Sequence, residues 1–411
     1  VNYFDYDYPA PKGKDPFVVS MEVADCPWNQ QHQLALIGLQ GLRIETENLP
    51  PNNLVFLLDV SGSMNNPDKL PLLKSALRLL VDQLRPEDTV SIVVYAGAAG
   101  LVLEPTSNKD AILAAIERLD AGGSTAGGAG IELAYQTAAD AFIEDGNNRV
   151  ILATDGDFNV GVSSDGDLVR LIEKKRASNI FLTVLGFGTG NYKDSKMEKL
   201  ADKGNGNYAY IDDILEAKKV LVKEMGGTLL TIAKDVKIQV EFNPRKIKAY
   251  RLIGYENRVM GAEEFDDDGK DAGELGAGHT VTALYELILA GSDEEIPTAG
   301  ELKYQKTKLT KSDELMTVKL RYKQPDGEIS RLITETVAAA DFNSLRPNGN
   351  IGFASAVAEF GLLLRDSEFK GAANYDDILQ RARAFRGDDM EGYRAEFIRM
   401  VEKAQALDRT K

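Results

Sequence analysis

The pattern of hydrophobic and polar positions changes three times along the chain and so divides it into four regions. Near the start, residues 17–23 and 33–39 show the alternation or short apolar runs that are typical of strands. From about residue 50, short apolar runs alternate with segments whose apolar residues recur at helical spacing. Alternating strand patterns return beyond Gly226-Gly227, and residues 350–404 return to helical spacing. The pattern predicts an α/β region, a β-rich region and a helical end.

The α/β region is assigned to residues 49–225. Its predicted strands cover residues 54–58, 90–95, 150–153, 180–187 and 208–211, and its predicted helices cover residues 72–84, 110–119, 131–143, 168–177, 197–201 and 214–225. Strands that are separated by helices form a parallel sheet with helices on both faces. This order predicts a doubly wound, mainly parallel sheet, in which ligands bind at the carboxyl ends of the strands.

The rest of the chain is assigned to three further segments. Residues 226–340 are predicted to form a β-sandwich, with strand-like stretches at 236–242, 249–255, 280–289, 315–322 and 329–336. The N-terminal segment, residues 1–48, is expected to contribute strands to that sandwich, with the α/β domain inserted between them. Residues 341–411 are predicted to form a C-terminal helical segment.

Composition narrows the choice of partners. The chain has 411 residues, of which 48 are basic and 64 are acidic, and its net charge is −16. An acidic surface repels phosphates, so neither nucleic acid nor an anionic membrane is expected as the main partner. No stretch approaches the roughly 18 apolar residues of a membrane-spanning helix. Because the chain opens at Val1, we expect a processed chain, with membrane contact only through a removed N-terminal signal or anchor.

Cysteine and histidine are scarce, which limits the chemistry of any metal site. The single cysteine, Cys26, rules out an intrachain disulfide and a cysteine-based zinc cluster. The two histidines, His32 and His279, are far apart in the sequence. A metal would therefore need oxygen ligands, which favour a hard cation such as magnesium, calcium or manganese. Cys26 is interpreted as a core residue, because no nearby histidine is expected to activate its thiol.

Side chains with oxygen atoms directly follow the predicted strand 54–58. Asp59, Ser61 and Ser63 lie at alternating positions of Asp59-Val60-Ser61-Gly62-Ser63, so in an extended turn all three can face the same way. Gly62 would allow a tight bend between the serines. Carboxylates and hydroxyls, with water in the remaining positions, suit a hard octahedral cation.

Two further pieces fall where the doubly wound fold would place the same site. The glycine-rich stretch 122–128 offers Thr125 as another hydroxyl ahead of a predicted helix. Residues 154–157 follow the predicted strand 150–153 and offer Asp155 as a second carboxylate. The candidate metal-binding residues are Asp59, Ser61, Ser63, Thr125 and Asp155.

This combination resembles the metal-ion-dependent adhesion site of von Willebrand factor type A domains. The resemblance implies that Ser61 and Ser63 bind the metal directly, and that Thr125 binds it directly or through water. It also implies that Asp59 and Asp155 hold metal-bound waters. The vacant sixth position would accept a carboxylate, from Asp or Glu, of a partner protein. Magnesium is expected first, with calcium or manganese as alternatives, and all five positions are filled in this sequence.

The whole chain also resembles a narrower group of bacterial envelope proteins. In that group a type A domain lies between an N-terminal segment and a characteristic C-terminal region. Residues 22–28, 252–258 and 364–371 carry the resemblance, which covers nearly all of the chain. It implies an extracytoplasmic location, in the periplasm or at a membrane anchor.

Three other motifs have simpler interpretations. Residues 155–161 place oxygens at alternate positions, but the glycine comes one place too late for a calcium loop and no bidentate glutamate completes it. Residues 265–271 are interpreted as a solvated acidic turn. Residues 186–191 match neither the dinucleotide fingerprint nor a lysine-bearing phosphate loop, so a strand-to-helix turn is favoured.

The leading functional hypothesis is a non-enzymatic, metal-dependent protein-binding module for adhesion or assembly. It follows from an oxygen set without a neighbouring nucleophile–base pair. One alternative is a metal-assisted hydrolase or a subunit of an energy-coupled enzyme, against which the scarcity of histidine and the missing phosphate loop count. Another is a purely structural metal site, with the β-sandwich making the contact with the partner.

Overall fold

The chain divides into two compact units. The first unit contains residues 1–42, 233–272 and 278–411, and the second contains residues 43–232 and 273–277. The computed structural model describes residues 1–44, 49–96, 98–123, 127–156, 165–188, 194–224, 230–255, 259–270, 272–296, 309–325, 327–338 and 349–409.

The helices and strands are numbered in chain order. The strands are β1 (Phe17–Asp25), β2 (His32–Gly41), β3 (Asn52–Asp59), β4 (Thr89–Tyr95), β5 (Ala99–Thr106), β6 (Asn147–Thr154), β7 (Ile180–Phe187), β8 (Tyr208–Ile211), β9 (Thr231–Phe242), β10 (Ile247–Ile253), β11 (Gly273–Gly276), β12 (Thr280–Leu289), β13 (Glu314–Lys323) and β14 (Arg331–Ala338). The helices are α1 (Leu70–Gln83), α2 (Lys109–Glu117), α3 (Gly127–Asp140), α4 (Asp165–Arg176), α5 (Asp194–Lys203), α6 (Ile214–Lys218), α7 (Gly349–Leu364), α8 (Tyr375–Ala384) and α9 (Tyr393–Asp408).

The second unit is built on a six-stranded sheet in the order β5-β4-β3-β6-β7-β8. Strands β4, β3, β6, β7 and β8 are parallel to their neighbours, and only β5 runs antiparallel, against β4. The continuous apolar run of β3 fits its central position, because a central parallel strand is buried on both faces. The carboxyl ends of β3, β4, β6 and β7 therefore meet at one edge of the sheet.

Side-chain alternation along β3 divides the apolar core of this unit into two layers. Phe56 and Leu58 pack on one face against α1, whose Leu73 and Leu77 recur at helical spacing. Residues of the opposite parity point to the other face and pack with α3 and α5. The helices thus cover both faces of the sheet, as the doubly wound prediction requires, and this part of the predicted fold class is confirmed.

Strand β5 was not predicted from the sequence. Its side chains are mostly exposed, and Leu101 and Val102 face solvent at the edge of the sheet. A strand at the edge of a sheet, with one neighbouring strand and its other side open to solvent, can lack both a continuous apolar run and a regular alternation. The residues therefore gave no pattern that would distinguish a strand from a loop.

The first unit contains two antiparallel layers. β1, β2, β12 and β10 form one sheet in that order, and β13 pairs with β9 and β14 in the other. Phe242, Leu287 and Met316 belong to the apolar core between the two layers. The predicted β-sandwich is present, and the N-terminal strands β1 and β2 complete its first sheet.

The C-terminal helices cover the other face of that first sheet. Leu34 and Leu36 of β2 pack with Phe353 and Phe360 of α7, whereas Ala35 points into the sandwich core. Helix α7 is apolar around most of its circumference, which is typical of a helix buried on several sides. The unit therefore joins residues that the sequence assigned to three separate segments, and the predicted four-part division stays a prediction. Within the described ranges, no helix is long and apolar enough to cross a membrane.

Candidate metal site

The candidate site lies at the edge of the parallel sheet where the strands end. Asp59 is the last residue of β3, and the strand register places Tyr95, the last residue of β4, beside it. Asp155 directly follows β6, and Gly188 directly follows β7. This topology brings together side chains that are far apart in sequence, at the position where doubly wound sheets bind ligands.

Asp59 is fully buried and its two carboxylate oxygens have different partners. Oδ1 accepts a hydrogen bond from the backbone N–H of Ser61 at 2.9 Å. Oδ2 accepts from the hydroxyl of Tyr95 at 3.2 Å and from the hydroxyl of Thr154 at 3.3 Å. The carboxylate is therefore oriented by β4, β6 and the loop that follows β3. A buried carboxylate with few strong donors remains a good acceptor for a cation.

The two serine hydroxyls of the motif face each other. Ser61 has an extended backbone, with φ −63° and ψ 163°, and a single 3-10 turn, Gly62–Asn65, follows it. The Oγ atoms of Ser61 and Ser63 are 3.0 Å apart. The alternation of the motif thus does place both hydroxyls on one side of the turn.

A turn does begin at Gly62, as expected, but it does not need the conformational freedom of a glycine there. The backbone at Gly62 does not adopt a positive φ, whereas the nearby Gly123 and Gly156 do, with φ of 87° and 92°. Gly62 instead donates its N–H to the carbonyl of Gly123 at 3.1 Å, and the N–H of Gly122 bonds the carbonyl of Val60 at 2.7 Å. The stretch that leads to Thr125 is therefore fixed against the serine turn. Thr125 itself lies outside the described residues, as do residues 157–161 of the calcium-like loop.

Asp155 forms an ion pair that the sequence did not predict. The Nζ atom of Lys69 lies 2.9 Å from Oδ2 of Asp155 and donates a second hydrogen bond to the carbonyl of Ser63 at 3.1 Å. The side chain of Asp155 is 5% exposed and that of Lys69 is 12% exposed. A lysine ammonium therefore stands at the Asp155 side of the candidate site.

The electrostatics of the site favour a positive charge. Burial raises the pKa of Asp59 above its ordinary value, and the charge of Asp155 raises it further, although hydrogen bonds from Ser61 and Tyr95 act in the opposite direction. Burial also raises the pKa of Tyr95, whose hydroxyl stays a neutral donor. The two carboxylates and the single ammonium of Lys69 leave one net negative charge among these three groups. A cation would offset that charge.

The geometry of the donors fits a small octahedral ion. Two neighbouring oxygen ligands of Mg²⁺, each about 2.1 Å from the metal and at a right angle, are about 3.0 Å apart. The hydroxyls of Ser61 and Ser63, which form a hydrogen bond with each other, have this separation. Among the described residues, no group of three or more histidine, cysteine, aspartate or glutamate side chains could hold a metal. The donor set of the candidate site depends on hydroxyls as well as carboxylates.

Three residues of the site were missed by sequence reasoning. Tyr95 and Thr154 end the strands on either side of β3, and the rule that ligand-binding residues collect at carboxyl ends of strands could have identified them. No sequence signal marks Lys69, because its partner Asp155 follows a different strand of the sheet.

The other motifs did not yield a second site. In the acidic turn 265–271, the carboxylates of Asp266 and Asp268 accept hydrogen bonds from Arg321 at 3.0 Å. Cys26 is buried, and burial together with the charge of Glu286 raises the pKa of its thiol to about 12. That thiol is a poor nucleophile at neutral pH. The interpretation of Cys26 as a core residue fits its burial.

Three family models match successive parts of the chain and identify its class of protein. A family model described as "von Willebrand factor type A domain" matches residues 54–157, the part that carries the sheet and the motif, and one described as "von Willebrand factor" matches residues 1–36. A third, "Uncharacterized protein YfbK, C-terminal", matches residues 227–407. Von Willebrand factor type A domains usually mediate protein–protein interactions.

One relative covers almost the whole chain. The "Uncharacterized protein YfbK" of Escherichia coli K12 is 45% identical over 421 aligned residues, which include 99% of this chain and 72% of that protein. The chain therefore belongs to the family of bacterial von Willebrand factor type A domain proteins that contains YfbK. The resemblance of the sequence to bacterial proteins with a von Willebrand factor type A domain is confirmed.

Other similarities are confined to parts of the chain or have a low sequence identity. "Uncharacterized protein sll0103" of Synechocystis is 37% identical over 172 residues, which are 41% of this chain and 39% of that protein. Among solved structures, a "von Willebrand factor type A from Catenulispora acidiphila" is 19% identical, covers 97% of this chain and 91% of its own, and has a TM-score of 0.48.

Proposed function

We propose that the protein is a non-enzymatic, metal-dependent protein-binding module, used for adhesion or assembly. A divalent cation at the candidate site would bind a carboxylate of a partner protein. Membership of a family whose type A domains usually mediate protein interactions supports the binding role. The proposed site is Asp59, Ser61, Ser63, Thr125 and Asp155.

One observation carries the metal part of the proposal. Two serine hydroxyls lie 3.0 Å apart, next to a buried carboxylate whose pKa is raised by burial and by a second carboxylate. Lys69 pairs with Asp155, whereas the donors that the described residues bring to Asp59 are neutral. A buried charge without an opposite charge is costly, and a cation near the hydroxyls would offset that cost for Asp59.

Each residue would have a distinct role. Ser61 and Ser63 would hold the ion through their hydroxyl oxygens, and Thr125 would add a third hydroxyl. Asp59 and Asp155 would accept hydrogen bonds from water on the ion. The ion would supply an electrophilic position for an Asp or Glu oxygen of the partner. Buried polar partners such as Tyr95 and Thr154 would keep Asp59 in place, as outer-shell groups do at metal sites.

Magnesium is the proposed ion, with calcium and manganese as alternatives. Serine hydroxyls and water are ligands that magnesium accepts without an all-carboxylate cage.

The location proposed for this module is the bacterial cell envelope, outside the cytoplasm. It is supported by the resemblance to envelope proteins in residues 22–28, 252–258 and 364–371. Fractionation of cells that produce the natural protein tests it, and recovery in the cytoplasmic fraction alone would overturn this location.

The functional test uses the full chain and the double variant Asp59→Ala, Ser61→Ala. Magnesium uptake is measured directly, and partner binding is measured by capture from an envelope extract with and without chelator. We expect the double variant to lose both, because it lacks a direct hydroxyl and an outer carboxylate. Outer-shell changes alone commonly weaken metal affinity about 10- to 100-fold.

The matched control is Ser75→Ala. The Ser75 hydroxyl donates to the carbonyl of Pro71 on α1, and its removal leaves the site intact. Persistence of both magnesium uptake and partner binding in the double variant would refute the proposal. A chelator that lowers the melting temperature without changing capture would instead favour a structural metal.

A further inference from the structure

Among the described residues, Lys69 is the cationic side chain that lies within hydrogen-bonding distance of a carboxylate of the candidate metal site, that of Asp155. Its backbone lies at the start of α1, where its N–H bonds the carbonyl of Asn66 at 3.0 Å and its own carbonyl accepts from Leu73 at 2.8 Å. The ammonium group then reaches Asp155 and the carbonyl of Ser63. The helix start thus fixes the point from which the side chain extends.

The aliphatic part of Lys69 is held by a second element. Gly188, directly after β7, has a φ of 80°, and a Cβ added there would lie 2.3 Å from Cε of Lys69 and 2.9 Å from its Cγ. The hydroxyl of Tyr210 donates to the carbonyl of Gly188 at 2.6 Å and fixes that residue. Only a glycine leaves room for the lysine stem at this approach. The position of the ammonium is therefore built into the sheet edge.

We propose that Lys69 is an internal counter-ion that competes with the divalent cation for Asp155. Without metal, the ammonium compensates the charge of the carboxylate, whose side chain is nearly buried. With metal, the ammonium and the cation repel each other, and both draw on the same carboxylate. Lys69 then sets the threshold concentration at which the site takes up metal, and it keeps the metal-free site folded.

This inference rests on the proposed metal-binding function, and it adds a feature that the metal ligands alone would not have. Lys69 lowers the affinity for the cation while it raises the stability of the metal-free chain. A residue that merely packed at the site would change both quantities in the same direction. The opposite signs distinguish a competing counter-ion from a structural lysine.

The test replaces Lys69 by a neutral side chain of similar length, Lys69→Met, in the full chain. Magnesium affinity is measured by calorimetric titration with magnesium chloride, and melting temperature is measured in chelator and in saturating magnesium. We expect magnesium to bind about tenfold more tightly, since a like charge is removed from the site. We also expect a lower melting temperature in chelator, with recovery in magnesium.

Lys74→Met is the matched control, because it also removes one lysine charge, five residues further along the chain in α1. Lys74 bonds the carbonyls of Glu117 and Leu119, at 2.8 and 3.1 Å, and neither residue belongs to the candidate site. Its magnesium affinity is expected to stay within about twofold of the original, since the charge of Lys74 is screened by solvent and salt and is not bonded to a site carboxylate. Lys69→Gln, which can still donate to Ser63, serves if Lys69→Met fails to fold.

The outcomes separate the two proposals. Equal or weaker magnesium binding by Lys69→Met or Lys69→Gln, relative to the original chain, would overturn the counter-ion role and leave the metal site standing. Absence of magnesium binding in the original chain and in the neutral variants would refute the metal site itself. Binding by a neutral variant alone would support the counter-ion role in its strongest form.

Discussion

At the scale of single residues, the site depends on contacts between strand ends that lie far apart in the sequence. Asp59 receives donors from Tyr95 and Thr154, and Asp155 receives the ammonium of Lys69. The arrangement of Asp59, Ser61 and Ser63 could be predicted, because their alternating positions lie within five consecutive residues. Their hydrogen-bond and ion-pair partners could not be predicted, because the sequence does not show which strands are neighbours in the sheet.

The approach of Gly188 to Lys69 leads to a prediction about stability. Gly188→Ala puts a Cβ on a backbone with φ of 80° and against the lysine stem. The left-handed conformation costs an alanine about 1–2 kcal/mol, and the flexible stem of Lys69 must shift away from the new Cβ. Denaturant unfolding of the full chain should show at least this loss in the free energy of unfolding.

Gly100→Ala is the control for this prediction. Gly100 lies in β5, and no atom lies within 4 Å of the position that its Cβ would take. Its replacement should change the free energy of unfolding by no more than about 0.5 kcal/mol. Equal losses in Gly188→Ala and Gly100→Ala would contradict the left-handed backbone and the close approach described for Gly188.

At the scale of elements, apolar patterning predicted strands best where both faces are buried. The bounds predicted for β7 and β8, residues 180–187 and 208–211, are those observed. The edge strand β5 was missed, because its exposed side chains resemble those of a loop. An apolar pattern shows which residues are buried. It therefore predicts a strand only where the strand has at least one buried face.

His32 links two strands of the sandwich unit to the turn after β12. Its Nδ1 lies 2.5 Å from Oε1 of Glu286, and its Nε2 lies 2.6 Å from Oε2 of Glu294. Burial lowers the pKa of His32, but the hydrogen bonds and charges of the two glutamates outweigh it, and the pKa is raised overall. The protonated imidazole is therefore the form that stabilises these contacts.

This contact predicts a pH dependence of stability. A group with a raised folded-state pKa contributes its full stabilisation below the unfolded value, about 6.5 for histidine, and loses it as pH rises through the folded pKa. The original chain should therefore lose more stability than His32→Gln between about pH 6 and pH 9. Melting temperatures of both chains across this range measure the difference.

His279 is present in both chains, so its titration cancels in the comparison. A difference that stays constant with pH, or that grows with increasing pH, would contradict the assignment of His32 as the protonated partner of Glu286 and Glu294.

At the scale of the whole molecule, the order of elements was enough to predict the fold class. Alternating strands and helices specify a doubly wound sheet, and the later run of strands specifies a sandwich. The packing of α7 on the first sandwich sheet could not be predicted in the same way. Helix α7 is apolar on almost every side, so its sequence does not indicate which face packs on the sheet.

The central claim is that a divalent cation occupies the edge of the parallel sheet between the Ser61 and Ser63 hydroxyls. Anomalous diffraction from crystals of the full chain soaked in manganese, an oxygen-binding substitute for magnesium, tests it directly. We expect one manganese peak within ligand distance of both Oγ atoms, and its loss in crystals of Ser61→Ala. A saturated crystal without a peak there, or a peak that persists in Ser61→Ala, would contradict it.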